Sequence, residues 1–302
     1  GESVIETFIP CMTADLVNRI KAGIDMSMLL RQGGLLALMA CLSLICGGLA
    51  GFTCAKASAG FARNLRHDIF EKIQTFSFEN IDKFSSASLV TRMTTDVANV
   101  QMSYMMIIRT AIRSPLMLIF SIVMAYVMGG ALSTTFVVII PVLAVGLFWI
   151  SRKAMPAFRS VFRKYDRLNE SIEENVRGMR VVKGFAREPY EKQKFGKAAE
   201  DIRRDFTRAE RIVALNRPLM QICLYFNMIF VLLVGSRMTI TSGGSLIDVG
   251  QISAMLTYGV QILMSLMMLS MIYVILTMSA ESFKRIGEVL NEEPALRNPE
   301  QG

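Results

Sequence analysis

Between Ser114 and Ile150 the chain carries no charged residue. Wound as one α-helix this run would measure about 55 Å at 1.5 Å per residue, against a bilayer core of about 30 Å. It has to cross twice, and Gly129-Gly130 supplies the turn. A mean hydropathy of +0.42 agrees with that reading. So does the 52% share of hydrophobic residues, where a soluble domain has about 45 to 50% with Gly counted. The expected fold is all-α: a polytopic membrane protein.

Further spans follow from the same criterion. Ile5 to Ile20 is apolar in part, but Asp15, Asn18 and Arg19 interrupt it, so it reads as the second half of a span. Asp25 and an expected turn at Arg31-Gln32-Gly33-Gly34 lead to an uncharged run ending at Ala55. Pro218 to Ser236 and Val249 to Ala280 complete the set, with a turn at Thr241 to Ser245 between them. The expected spans are 1–22, 32–55, 105–128, 131–151, 216–236 and 249–280, six in all, within a membrane domain of residues 1–282. Residues 283–302 read as a linker, polar and amphipathic at first.

Two polar intervals separate these spans. In Ser151 to Arg217 apolar residues recur at Val161, Tyr165, Leu168, Ile172 and Val176, and again at Phe195, Ala199, Ile202, Phe206, Ala209 and Val213. Steps of three and four are helical. With a break near Gly184 and Pro189, the interval 152–215 predicts a helical hairpin that leaves the membrane and returns. Residues 56–104 repeat the plan, with Phe61, Leu65, Ile69 and Ile73 going out and Leu89, Met93, Val97 and Val100 coming back around an irregular stretch at Phe76 to Ser86. Each arm extends roughly 25 to 30 Å beyond the lipid. That length is unnecessary for a mere turn, and it carries two tips to where a soluble partner can dock.

Charge sets the orientation. Lys56 to Val100 holds six basic residues and Ser151 to Arg217 eighteen, whereas Gly129-Gly130 has none and the turn before Val249 only Arg237. The positive-inside rule then places both hairpins and the C-terminal tail in the cytoplasm. The net charge of +8 sits mainly beside membrane segments, which points to lipid head groups and topology, not to nucleic acid. The five cysteines show no C-x-x-C pairing and His67 has no ligand-forming neighbour, so neither disulfides nor a metal site is expected. Most of the 22 methionines read as core filler. The chain starts without Met or a secretory signal and is expected to be part of a longer protein.

Local strings add a resemblance. Leu65-Arg66-His67-Asp68-Ile69-Phe70-Glu71-Lys72, with Phe84, Leu89, Arg92, Thr94, Thr95, Asp96 and Val97, is similar to the first intracellular loop of ABC exporters with long intracellular helices. Arg180 to Glu188 resembles the second loop of that family, and Arg285 to Pro294 resembles the linker into its nucleotide-binding domain. Met105 to Arg109 and Arg113 to Leu116 resemble the bacterial heterodimeric multidrug branch. No G-x-x-x-x-G-K-[ST] phosphate loop occurs in the sequence. The resemblance therefore implies that ATP and Mg belong to an associated nucleotide-binding domain, beyond Gly302 or on another chain, and that this chain itself holds no cofactor and no catalytic site. It also implies a second, identical or homologous membrane half, a plasma-membrane location and a hydrophobic small-molecule substrate.

On the same resemblance the hairpin tips are coupling elements: Ser77, Phe78, Asn80, Ile81 and Phe84 in the first, and Phe185, Arg187, Glu188, Tyr190 and Phe195 in the second. The alternative for Phe84 and Phe195 is that they cap the hairpin cores. Candidates for the substrate path start with Arg109 and Arg113, one helical turn apart. Arg113, a turn deeper in the membrane, must snorkel, pair internally or meet an anionic substrate or lipid. Asn227, mid-span, should face the bundle, against substrate or a neighbouring helix. Tyr258, Gln261 and Ser265 share a face beside Met264, Met268 and Met271, as a cavity wall or as helix packing. A membrane scaffold or sensor with a dimeric helical stalk is the competing class, and it leaves the linker-like string and the mid-membrane polar residues unexplained. An ion channel would call for a charged ring or a re-entrant segment, and the sequence shows neither.

Overall fold

The computed structural model describes residues 1–23 and 25–294, apart from the side chains of Phe162 and Asp166. The last part of the expected linker, 295–302, lies outside the described residues. Every regular element among the described residues is helical, as expected. The chain divides into two compact units, one of residues 1–138 with 227 onward, the other Ile139–Phe226.

The first unit begins with α1 (Glu2–Lys21). Gly23, at φ +83°, reverses the chain, and the Asp25 carboxylate then accepts from Met26 N at 2.9 Å to start α2 (Met26–Gln74). The turn expected at Arg31 to Gly34 is not there. Gly33 and Gly34 sit inside α2 with open space where a side chain would be. Each glycine costs a helix about 1 kcal/mol, which is less than a backbone break in lipid, where no water satisfies a freed amide. At 1.5 Å per residue α2 is about 74 Å long, far more than a bilayer is thick. Its apolar half, with Leu38, Leu44, Leu49 and Phe52, is exposed, as suits lipid rather than a core.

The expected irregular tip is instead a short helix, α3 (Phe78–Phe84), which Ser77 and Asn80 start: Asn80 Oδ1 accepts from Ser77 N at 3.2 Å and from Ser77 Oγ at 2.6 Å. Ser85, at φ +55°, kinks the chain into α4 (Ser86–Thr91). A π-helical turn at Arg92–Asp96 leads into α5 (Val97–Met106), and a second at Ile107–Ala111 leads into α6 (Ile112–Gly129). Gly130, at φ +49°, turns the chain as expected, and a 3-10 turn at Gly130–Ser133 opens α7 (Thr134–Arg177).

The second unit takes most of α7, then α8 (Met179–Gly184), α9 (Glu188–Ala214) and the start of α10 (Asn216–Ser242). The hairpin has two breaks where one was expected, at Gly178 and at Phe185 to Arg187, with Ala186 at φ +48°. Phe158 meets Phe206 edge to face at 6.1 Å, and Lys164 pairs with Asp205 at 2.7 Å.

The last helix, α11 (Val249–Asn291), starts on an Asp248 cap and belongs to the first unit. It continues past residue 282, so the start of the expected linker is a direct extension of the span. There Ile286 and Val289 join Ala62 and Ile69 of α2, Phe84 of α3, Leu89 of α4 and Val97 and Val100 of α5 in one buried cluster. Nearer the other end α11 packs on α1 and α6 through polar and small residues, the usual glue where lipid removes the hydrophobic driving force. Tyr258 OH donates to Thr7 O at 2.8 Å, and Gly250 N donates to Asn18 Oδ1 at 2.9 Å. A Cβ on Gly250 would come 2.1 Å from Ala14 O, a backbone atom that cannot step aside. Gly250→Val should therefore separate α1 from α11 and cost about 1 to 3 kcal/mol, read as a lower thermal midpoint of the detergent-solubilised protein.

Candidate functional site

The first tip is clamped to the end of α11 by charge. Asp96, fully buried, accepts from Ser282 Oγ at 2.8 Å and from the Arg285 guanidinium at 2.7 Å. Arg92, at the other end of the same π-helical turn, donates to Glu288 at 3.0 Å and to the carbonyl of Arg285. Widened turns of this kind are frequent at functional sites. Closer to the tip, Lys83 pairs with Glu292 at 2.7 Å, and Asn80 Nδ2 donates to Glu292 Oε1 at 3.2 Å and to Glu293 O at 3.1 Å. The hydrogen bond from Lys83 holds the Glu292 carboxyl below the usual carboxylate range. Helix α3 thus sits on a support built from α11, and displacing one displaces the other.

Within that frame the expected tip residues separate by role. Phe84 is only 9% exposed, stacks on Phe76 with ring centres 5.8 Å apart, and lies under the Arg92 guanidinium at 4.9 Å. Asn80 is buried and ties the tip to α11, while Ser77 and Ile81 are half-buried. Phe78 is 86% exposed, a large apolar side chain open at the tip.

In the second unit Phe185 is 78% exposed at the turn between α8 and α9. Arg187 stacks over Tyr190 at 5.4 Å, and Lys183 pairs with Glu188 at 3.0 Å. The Glu188 carboxyl is held low by its own backbone N–H first and by Lys183 next. Phe195 lies further along α9, half exposed. The short helix α8 was not expected from periodicity, since six residues do not show a repeat.

The expected path residues lie in the first unit. Arg113 is neutralised by two carboxylates of α1, Glu6 at 2.7 Å and Glu2 at 3.2 Å. Arg109, in the second π-helical turn, is exposed and lies beside Gly51. It opens on a cavity of about 660 Å³ lined also by Cys46, Leu49, Thr53, Ile112 and Arg113. Tyr258, Gln261 and Ser265 are packed: Gln261 Oε1 accepts from Ser121 at 3.1 Å and its Nε2 donates to Glu6 O at 3.3 Å, while Ser265 bonds back to Gln261 O at 2.8 Å. Asn227 is buried against Gly259, and its Oδ1 has no hydrogen-bond partner among the described residues. Met264, Met268 and Met271 form an exposed stripe on α11. The sequence could not assign Glu2 and Glu6 to Arg113, because α1 is far from α6 along the chain.

Long apolar helices carried through into charged hairpins, with aromatic tips and a clamped final helix, define a helical membrane-transport domain, and sequence comparison gives its family. The family described as ABC transporter transmembrane region matches residues 2–279. This chain belongs to it. Among relatives, the uncharacterized ABC transporter ATP-binding protein YfiB of Bacillus subtilis is 31% identical over 97% of this chain and 50% of its own length. A Mycobacterium tuberculosis ABC transporter ATP-binding protein, Rv1273c, is 31% identical over the same shares, 97% and 50%. The ATP-dependent lipid A-core flippase of Pseudomonas syringae is 26% identical over 59% of this chain and 30% of its own length. The chain spans about half the length of the first two.

Two outcomes follow from the clamp. Asp96→Ala strands Arg285 and removes charge-assisted bonds of about 1.5 to 3 kcal/mol. Hydrogen exchange at Ser282 to Val289 should rise accordingly, with little change at Thr7 to Asn18. Because the Glu292 carboxyl titrates below its unfolded value, the Lys83 contact is complete above that value and is lost as pH falls through the lowered one. Exchange at Asn80 and Lys83, corrected for intrinsic rates, should stay flat through mild acid and rise only below the ordinary carboxylate range.

Proposed function

We propose that this chain is the membrane-spanning half of an ATP-driven exporter, with six spans, cytoplasmic hairpins and a cytoplasmic C-terminal end in the cell membrane. Its partners on this reading are a nucleotide-binding domain that carries ATP and Mg, and a second membrane half, identical or homologous. The observation that carries the reading is the pair of exposed aromatics, Phe78 and Phe185, each at the tip of a hairpin whose outgoing arm is the extension of a long helix, α2 or α7, that starts in apolar sequence. An exposed aromatic at the end of a rigid lever is the natural anchor for a groove in a motor domain. The relatives' names and the family support the ATP-driven part.

The substrate class is a hydrophobic or amphiphilic compound, drug or lipid. Support comes from the Arg109 cavity with its mainly apolar lining, from the methionine stripe of α11, and from a relative named as a lipid A-core flippase. Alternating access would move these surfaces between the two sides of the membrane, driven through the clamp from α3 to α11. Loss of a central anchor costs an interface 2 kcal/mol or more, about thirtyfold in occupancy. Phe78→Ala and Phe185→Ala should therefore each reduce substrate-stimulated ATPase of the full reconstituted protein at least tenfold, with unchanged thermal midpoints. Stimulation at the level of the unmodified protein in both variants contradicts the coupling role.

A further inference from the structure

The second unit contains a cleft whose chemistry the transport reading does not use. It has a volume of about 710 Å³ and lies between α7 and α9, lined by Trp149, Lys153, Arg204, Arg208, Arg211 and Leu215 among others. Among the described residues no carboxylate lines it. Two acids of α9 are already engaged: Glu200 holds Arg203 through two bonds of 2.7 and 2.5 Å, and Asp205 holds Lys164 at 2.7 Å. Lys153, Arg204, Arg208 and Arg211 take part in no ion pair among the described residues.

Asp205 and Glu200 offset Arg204 and Arg208 in part from a distance, but the four cations around one cleft still outnumber these acids, and an open cleft of this kind attracts an anion. Its level along the helices says which anion. On α7 the uncharged run ends at Ile150, and the first charges are Arg152 and Lys153. On the returning strand of the hairpin charge ends with Arg211 and Arg217, and the apolar stretch from Pro218 follows. Both helices therefore pass from water to hydrocarbon at the height of this cleft. Trp149, 54% exposed at its apolar end, stands where indoles anchor at membrane interfaces. Leu215 and Ile212 extend the apolar wall on the α9 side. A ligand that fits has an anionic head for Arg204, Arg208 and Arg211 and an acyl chain for Trp149 and Leu215.

We propose that this cleft binds the phosphodiester head group of an acidic phospholipid from the adjoining leaflet. The cleft residues all belong to the second unit, and the candidate path residues all belong to the first. Arg211 and Lys153 meet the phosphate at the level of the lipid head groups, and Arg204 and Arg208, further out, add to the positive field that holds it there.

Trp149 is the only tryptophan of this sequence, and the difference between the unmodified protein and Trp149→Phe isolates its signal in the full protein. The full protein is reconstituted in nanodiscs of phosphatidylcholine with either phosphatidylglycerol or phosphatidylcholine carrying brominated acyl chains, which quench only an indole within reach of the lipid. Phosphatidylglycerol should be preferred roughly 25-fold at the Trp149 site, as expected when Arg211 and Lys153 each contribute about a fivefold factor. R208Q/R211Q should abolish that preference, and K192Q/K197Q, with the same change in net charge, should retain it. Equal quenching by the two lipids in the unmodified protein overturns the proposal, and so does an equal loss in both double variants, which would assign the effect to overall charge. Inorganic phosphate is the remaining arm: at millimolar concentration it should leave the preference intact, and displacement of the lipid by phosphate would make this a soluble-anion site and overturn the lipid assignment.

Discussion

A peptide group in hydrocarbon has no water to bond with, so a helix that enters lipid has to stay wound until it leaves. This chain uses that constraint twice over. Helices α2, α7 and α11 remain wound through apolar sequence and keep going through charged sequence, to about 65 to 75 Å each at 1.5 Å per residue. The same constraint explains Gly33 and Gly34, which break helices elsewhere and are overruled inside α2. A helix is stiff along its axis, so a continuous one carries displacement between its two ends.

Stiffness alone would not join the tip to the membrane segments. The joint is the buried cluster around Ile69, Val97 and Val289, together with the polar contacts from Asp96, Arg92 and Lys83 to α11. The hydrophobic part supplies adhesion, and the polar part supplies register, since a buried carboxylate at Asp96 tolerates only an α11 position that brings Ser282 and Arg285 within bonding distance. Nearer the membrane segments the arrangement reverses. There α11 packs through small residues and single hydrogen bonds, as at Gly250 and Tyr258, and Arg113 meets its counter-charges on α1. The final helix is thus held at both ends by groups that accept one register.

Much of this architecture was legible in the sequence because it follows from counting. The uncharged run from Ser114 to Ile150 is too long for one crossing, and the seam through Ile69, Val97 and Val100 is regular enough to give a packed hairpin. Phe78 and Phe185 were legible as tip residues from their place between two periodic runs. What escaped is what depends on length below one repeat or on distant pairing. Helix α3 and helix α8 are too short to show periodicity. The two π-helical turns leave no trace in a hydrophobic pattern. Glu6 and Arg113, or Asp96 and Arg285, are ordinary charges until the fold brings them together. Tyr258, Gln261 and Ser265 share one face as expected, and that face is occupied by α1 and α6.

The central claim is that the first tip and the end of α11 form one rigid body, so that a push at α3 arrives undiminished in the last membrane helix. The most direct measurement is a spin-label distance between positions 79 and 284, introduced as Glu79→Cys and Lys284→Cys in a background freed of native cysteines, the five of this sequence included, recorded for the full protein without nucleotide and with nucleotide trapped. The account predicts one narrow distribution, the same in both states. A second distance, or a broadening that comes with nucleotide, would show that the clamp opens and would contradict it.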